Sequence, residues 1–182
     1  MKIACLGWGS LVWDPQELPI QRQWFNDGPV LPIEFTRISD DKRVTLIIDT
    51  ETNIQVRTLW ALMLTNNLER ARESLKIREG TPKIDKIHSV NIDYNGDEFP
   101  ESKIAEWLKS QQIDTAIWTG LSYNKKYFKG KRPSIKQILN HLAKLKKEEK
   151  FQAAYYIRKA PRQIDTAYRR RIEAEFGWIP ID

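Results

Sequence analysis

One cysteine is the chain's whole stock of thiol. Cys5 has no partner for an internal disulfide. Its place in the apolar run Ile3-Ala4-Cys5-Leu6 makes it a small buried hydrophobe before a nucleophile. Histidine is almost as scarce. His88 and His141 stand far apart, so no metal-ligand spacing exists; each reads as structural or exposed, and neither a metal nor a cofactor is expected. No apolar run approaches the roughly 20 residues that a membrane-spanning helix needs. Lys2 alone makes no charged leader region, and Gly7 interrupts the first apolar run, so no secretory signal is read and a cytoplasmic protein is expected. Repeats, low-complexity tracts and clear linkers are missing too. What is present, 41% apolar and 30% charged residues over 182 positions, describes a single globular domain long enough to bury a core without staples.

The net charge of +6 is unevenly placed. Residues 118–182 carry 16 of the 30 Lys and Arg and 6 of the 24 Asp and Glu, a balance of +10; residues 1–117 balance at −4. A basic C-terminal third is what a polyanion partner would meet, and equally what solvated helix faces produce. Aromatics are interleaved there (Tyr127, Phe128, Tyr155, Tyr156, Tyr168), with the run Arg169-Arg170-Arg171. That run falls on a predicted helix, where successive residues point about 100° apart and make no single stripe, and no named nucleic-acid motif accompanies it.

In chain order, Met1 to Leu6 predicts a short buried strand, and Asp14-Pro15 and Asp27-Gly28-Pro29 predict turns. Pro32–Ser39 and Arg43–Asp49 alternate as two strands about an Asp40-Asp41 turn, and Ile54–Leu64 reads as another strand. Three strands joined by short turns predict a curved antiparallel sheet continuing from the first strand. A helix capped within Thr65-Asn66-Asn67 is expected to run to about Arg78. Further expectations are a strand over Lys86–Asp93, a helix over Pro100–Gln111 and a strand over Thr115–Trp118. Helices are then expected from Ser134 to about Lys147, over Phe151–Arg158 and over Arg162–Phe176, the last stopped by Gly177.

Two short stretches carry chemistry. The first strand runs into Gly7-Trp8-Gly9-Ser10-Leu11-Val12-Trp13, where glycine lets another molecule approach the peptide groups closely and turn N–H groups can make a small anion site. The other reading is a plain tight turn. In the helix, Leu64, Leu68, Ala71 and Leu75 step by four, three and four along one face. The next step lands on Glu79, directly before Gly80, which is placed to end the helix. A carboxylate where a core residue belongs is costly unless paired, hydrogen-bonded or protonated, and desolvation moves such a group toward the range of a general base. Against this stands a surface residue at a frayed helix end, paired with Arg78 or Lys83.

These two motifs, about 70 residues apart, resemble those of the γ-glutamylcyclotransferase-like superfamily, which includes γ-glutamylcyclotransferase, the ChaC-type enzymes and AIG2-like proteins. Its opening reads Tyr-Gly-Ser after a first strand, often extended as Gly-Ser-Leu-Ile-Trp, and its catalytic glutamate lies in a Glu-Gly pair after a Leu-containing helix. This chain has Gly9-Ser10-Leu11-Val12-Trp13 and Leu75-Lys76-Ile77-Arg78-Glu79-Gly80, with Trp8 replacing the usual tyrosine. The resemblance covers roughly residues 1–120. It implies an α+β fold with a curved mixed β-sheet or small barrel and flanking helices, and leaves residues 121–182 as a basic, mainly helical extension.

The resemblance also implies a reaction. A γ-glutamyl amine or peptide would be attacked at its γ-carbonyl by its own α-amine, releasing 5-oxoproline. Glu79 would move the proton. Gly7, Trp8, Gly9, Ser10 and Leu11 would hold the glutamyl carboxylate or the oxyanion. Arg37 and Ser39, at the end of the strand before the hairpin, and Trp118 are further candidates for the pocket; a strand-end ion pair and core packing are their other readings. The partner expected is a small molecule, with no membrane and no nucleic acid. The alternatives are a non-catalytic small-molecule-binding or interaction protein on the same fold and, more weakly, a nucleic-acid contact through the basic third.

Overall fold

A computed structural model describes residues 1–181. The fold is α+β, with a mixed sheet and, among the described residues, five α-helices. The strands are β1 (Ile3–Gly7), β2 (Val30–Leu31), β3 (Ile33–Ile38), β4 (Val44–Ile48), β5 (Val56–Arg57), β6 (Leu59–Leu62), β7 (Ile87–Asn91) and β8 (Thr115–Thr119). The helices are α1 (Leu68–Arg78), α2 (Glu101–Gln111), α3 (Ile135–Ala143), α4 (Lys147–Lys159) and α5 (Ala167–Phe176). Two compact units share them. One comprises residues 1–7, 14–31 and 57–120; the other comprises 8–13, 32–56 and 121–182. No helix among the described residues is long and apolar enough to cross a membrane.

The first unit is built on a four-stranded sheet in the order β6-β1-β8-β7. β1 runs antiparallel to β6 and parallel to β8, and β7 closes antiparallel on β8. Every residue of β1 is buried, as expected of a central strand flanked on both sides. α1 and α2 pack on β7 and β8. An aromatic cluster fills one end: Phe25 stacks on Trp60, Trp107 meets Trp60 edge-on, and Asp27 accepts from both indoles. The expected 54–64 strand is broken at Thr58, which is fully buried and turns away to bond Pro29 O through its N–H and its hydroxyl.

The second unit holds the β3–β4 hairpin and α3, α4 and α5. α4 packs on β4, α5 on β3, and α3 on both helices. The hairpin forms its own two-stranded ladder, and the strands expected to make one continuous antiparallel sheet are divided among three separate sheets. The parallel partner of β1 arrives only at Thr115, which local turn signals cannot announce. The last helix begins at Ala167 and not at Arg162. Pro161 starts a turn closed by Ile164 N–H on Pro161 O, and the Thr166 hydroxyl then caps by accepting from Arg169 N–H. Arg169, 1% exposed, staples that turn: its guanidinium donates to the carbonyls of Pro161, Ile164, Ile157 and Ala160 and to Glu173. α3 also stops early, at Ala143, and α4 starts after Lys146, whose N–H is taken by Glu149.

Candidate functional site

Glu79 is placed by the way α1 begins and ends. Asn67 Oδ1 accepts from Arg70 N–H at 2.9 Å and fixes the start. Leu64 therefore lies outside the helix; its N–H bonds Pro19 O and its side chain is 67% exposed, not buried as the stripe predicted. Ala71 and Leu75 are fully buried, while Leu68 is half-buried. At the other end Gly80 takes φ +62°, Gly80 N–H returns to Ile77 O and Thr81 N–H to Lys76 O. This is the left-handed ending that glycine permits, and it makes Glu79 the helix cap.

The carboxylate is not isolated. Arg78 Nη1 donates to Glu79 Oε1 at 2.5 Å, with side chains 7% and 18% exposed, so the charge is largely covered and paired. Arg78 also donates to Asp14 O at 2.6 Å through Nη2, which moors the chain after the glycine loop. Glu79 lies close enough to β1 to raise the pKa of the Cys5 thiol: burial raises it most, and the Glu79 charge adds to that. Cys5 is fully buried and stays a thiol.

Gly7, Glu79 and Trp118 belong to the first unit; Trp8, Gly9, Ser10, Leu11, Arg37 and Ser39 belong to the second. Gly7 is the last residue of β1, paired with Leu59. Trp118 is 1% exposed, its ring centroid 5.7 Å from that of His88, as a core residue. In the loop, Val12 N–H donates to Gly9 O at 3.0 Å and closes a turn. The N–H groups of Gly9 and Leu11, in residues that are themselves buried, meet no acceptor among the described residues. Trp8 and Leu11 are buried and Ser10 half-buried.

The loop packs on Tyr156 of α4, which the sequence reading assigned only to the basic region. Trp13 meets its ring edge-on at 5.3 Å, Phe35 lies edge-on at 6.5 Å, and the Arg43 guanidinium sits 5.4 Å from its centroid. On the hairpin, Ser39 is spent locally. Its hydroxyl bonds the Asp41 carboxylate and stands 3.0 Å from Arg43 O within the β3–β4 turn. Arg37 differs: its Nε is buried and has no hydrogen-bond partner among the described residues.

A buried polar network, also missed, ties the hairpin to α5. Glu34 is fully buried and accepts from Phe35 N–H at 2.9 Å and Tyr168 N–H at 3.3 Å, at the first turn of α5. Burial raises its pKa; the Thr166 hydroxyl, those amides and Arg132 oppose this. Asp49 pairs with Arg132 Nε at 2.8 Å and accepts from Tyr123 at 2.7 Å, and Arg132 Nη1 donates to the Tyr168 hydroxyl at 2.9 Å. In sequence these carboxylates looked like strand residues beside a turn, and no local signal marks them as buried. Thr36, its hydroxyl buried and without a hydrogen-bond partner among the described residues, opens on a shallow groove lined by Tyr123, Tyr127, Phe128 and Lys131.

His141 Nε2 lies 2.8 Å from Lys42 O, and His88 Nδ1 lies 3.9 Å from Glu101. Among the described residues, no group of three His, Cys, Asp or Glu side chains could hold a metal ion. Comparison of the chain with family models, with curated proteins and with solved structures finds no match.

Proposed function

We propose that the chain is a γ-glutamylcyclotransferase-like enzyme on the corresponding fold, releasing 5-oxoproline from a γ-glutamyl amine or peptide. The observation that carries this reading is the cap position of Glu79: a largely covered carboxylate at the end of a helix that buries Ala71 and Leu75, near enough to Cys5 of β1 to act on its thiol, β1 being the strand that runs directly into the glycine loop. Glu79 takes one proton of the substrate ammonium, the freed amine attacks the γ-carbonyl, and that proton passes to the departing nitrogen; the attacking nitrogen then loses its second proton, which leaves the ring N–H of 5-oxoproline and protonates the released amine. The ring forms as the amide bond breaks, so atoms balance without a co-reactant. The N–H groups of Gly9 and Leu11, which meet no acceptor among the described residues, are donors of the kind that stabilise a carboxylate or an oxyanion. The test is 5-oxoproline release by the full chain from a panel of γ-glutamyl peptides and amines, with Glu79→Gln as the comparison. Release that survives the substitution, or no release from any member, overturns the reading.

One observation favours a second reading, a small-molecule-binding protein without turnover. Arg78 already engages the Glu79 carboxylate at 2.5 Å, and a paired carboxylate can hold a ligand's ammonium group without taking its proton. Ligand binding without 5-oxoproline release selects this reading. Nucleic-acid contact gains little support, because Arg169 is buried and Arg170 is paired with Asp165 at 2.8 Å, which leaves Arg171 alone of the run.

A further inference from the structure

We propose that Arg37 is the anion-recognition residue of the second unit and that its ligand carries a carboxylate. Three other guanidinium groups of this unit show what such a group ordinarily has around it. Arg169 donates to four carbonyls and a carboxylate. Arg132 is shared between Asp49 and Tyr168. Arg43 Nε donates to Asp41 at 2.6 Å. Arg37 has none of this among the described residues, although its Nε is buried. A buried N–H without an acceptor is rare in a native fold and calls for a partner that the described residues do not supply.

The hairpin register tells which way the group points. Arg37 stands opposite Thr45 in the ladder. Its side chain therefore leaves the face that Thr45 shares, by strand alternation, with Arg43. That face carries Tyr156 beneath Arg43, and Tyr156 in turn carries the loop at Gly9. The loop amides of Gly9 and Leu11 also meet no acceptor among the described residues. Guanidinium and amide donors that both lack acceptors are complementary to anionic oxygen. Arg43 is already neutralised by Asp41, so one positive charge remains to be balanced. A carboxylate supplies one charge and two oxygens that match the parallel N–H edge of a guanidinium; a phosphate group brings nearly two charges. Arg37 as a whole keeps partial exposure, which gives a small ligand a way in.

The experiment follows the arginine Nε–H resonances of the ¹⁵N-labelled full chain during titration with glutarate, L-glutamate and inorganic phosphate. One resonance, missing from the spectrum of Arg37→Lys, is expected to move saturably with glutarate and L-glutamate, and less with phosphate at equal concentration. Glutarate affinity measured by calorimetry is expected to fall about tenfold or more in Arg37→Gln. If Arg37→Gln does not fold, Arg37→Lys takes its place, since an ammonium keeps the charge but loses the paired N–H edge. No saturable movement, or unchanged affinity in the folded variant, overturns the proposal; tighter binding of phosphate overturns its ligand class. These readouts need no turnover, so absence of 5-oxoproline release leaves Arg37 binding intact, and failure here leaves the Glu79 assay to stand on its own.

Discussion

A β-carbon on Gly9 would stand 2.5 Å from the Tyr156 hydroxyl oxygen. The tyrosine has little room to yield, being 6% exposed and held by Trp13, Phe35 and Arg43. Gly9→Ala is therefore expected to cost about 1–3 kcal/mol, the usual range for an overfilled core. Tyr156→Phe removes the offending oxygen and leaves a ring carbon at an ordinary 3.5 Å. The double variant should then lose less stability than the two single losses added together, as read from urea midpoints in a double-mutant cycle. Strict additivity would show that the glycine answers to something other than this ring.

Glu79→Gln tests chemistry and packing at once. Loss of the proton acceptor is expected to cut 5-oxoproline release by roughly 10²–10⁴-fold. Stability should fall by about 1 kcal/mol, because Arg78, itself 7% exposed, exchanges a charged acceptor for a neutral amide oxygen. A variant that is more stable than the parent would mean that the ion pair with Arg78 is not maintained in solution.

Replacing Arg169 by Met removes donors from the carbonyls of Pro161, Ile164, Ile157 and Ala160, which close α4 and turn the chain toward α5. A cation at that helix end also complements the dipole. The expected loss is at least about 3 kcal/mol, from several buried acceptors left without donors. Arg170→Met, by contrast, breaks only an exposed pair with Asp165 and should change stability by less than about 1 kcal/mol. Thermal unfolding of the two variants side by side decides the matter.

Glu34 makes stability depend on pH in an unusual direction. Its pKa in the fold lies above the ordinary 4.5, so the folded chain binds more protons than the unfolded chain between those two values. The contribution of this group to unfolding free energy must then decrease as pH rises through that window. Subtracting the profile of Glu34→Gln from that of the parent isolates the effect, and the difference should fall above pH 4.5. Asp165 and Glu149 act oppositely: hydrogen bonds from Arg170 and Lys42 lower their pKa, so their contributions fade as pH drops. A difference profile that rises with pH would show that the amides around Glu34 outweigh its burial.

Much of the local structure is legible in residue order, because its causes are local. Asn67 caps, Gly80 and Gly177 take the left-handed conformation that ends α1 and α5, and Ser134 opens α3 with a reciprocal bond to Gln137. The position of Glu79 at a helix end follows from such signals. Arg78 and Lys83 were both open as its partner in the sequence, and the structure pairs it with Arg78. Other features rest on chain segments brought together from afar. The parallel pairing of β1 with β8, the burial of Glu34 under α5, and the contact of Gly9 with a tyrosine 147 positions later leave no periodic trace. Ser39 looked available as a strand-end hydroxyl but is consumed by the turn that its own neighbours, Asp41 and Arg43, create.

The interleaving of the two units has a consequence for how the chain comes to be folded. The second unit needs residues 8–13 and 32–56 together with 121–182, so its hairpin emerges during synthesis long before the helices that cover it. The first unit likewise waits for β8, at residues 115–119, before the central strand β1 gains its second neighbour. Both units thus depend on closing long loops, whose entropy must be spent before the contacts repay it. A ribosome-bound chain halted near residue 100 holds β1, β6 and α1 without β8, and should be open to protease at sites that the finished protein conceals.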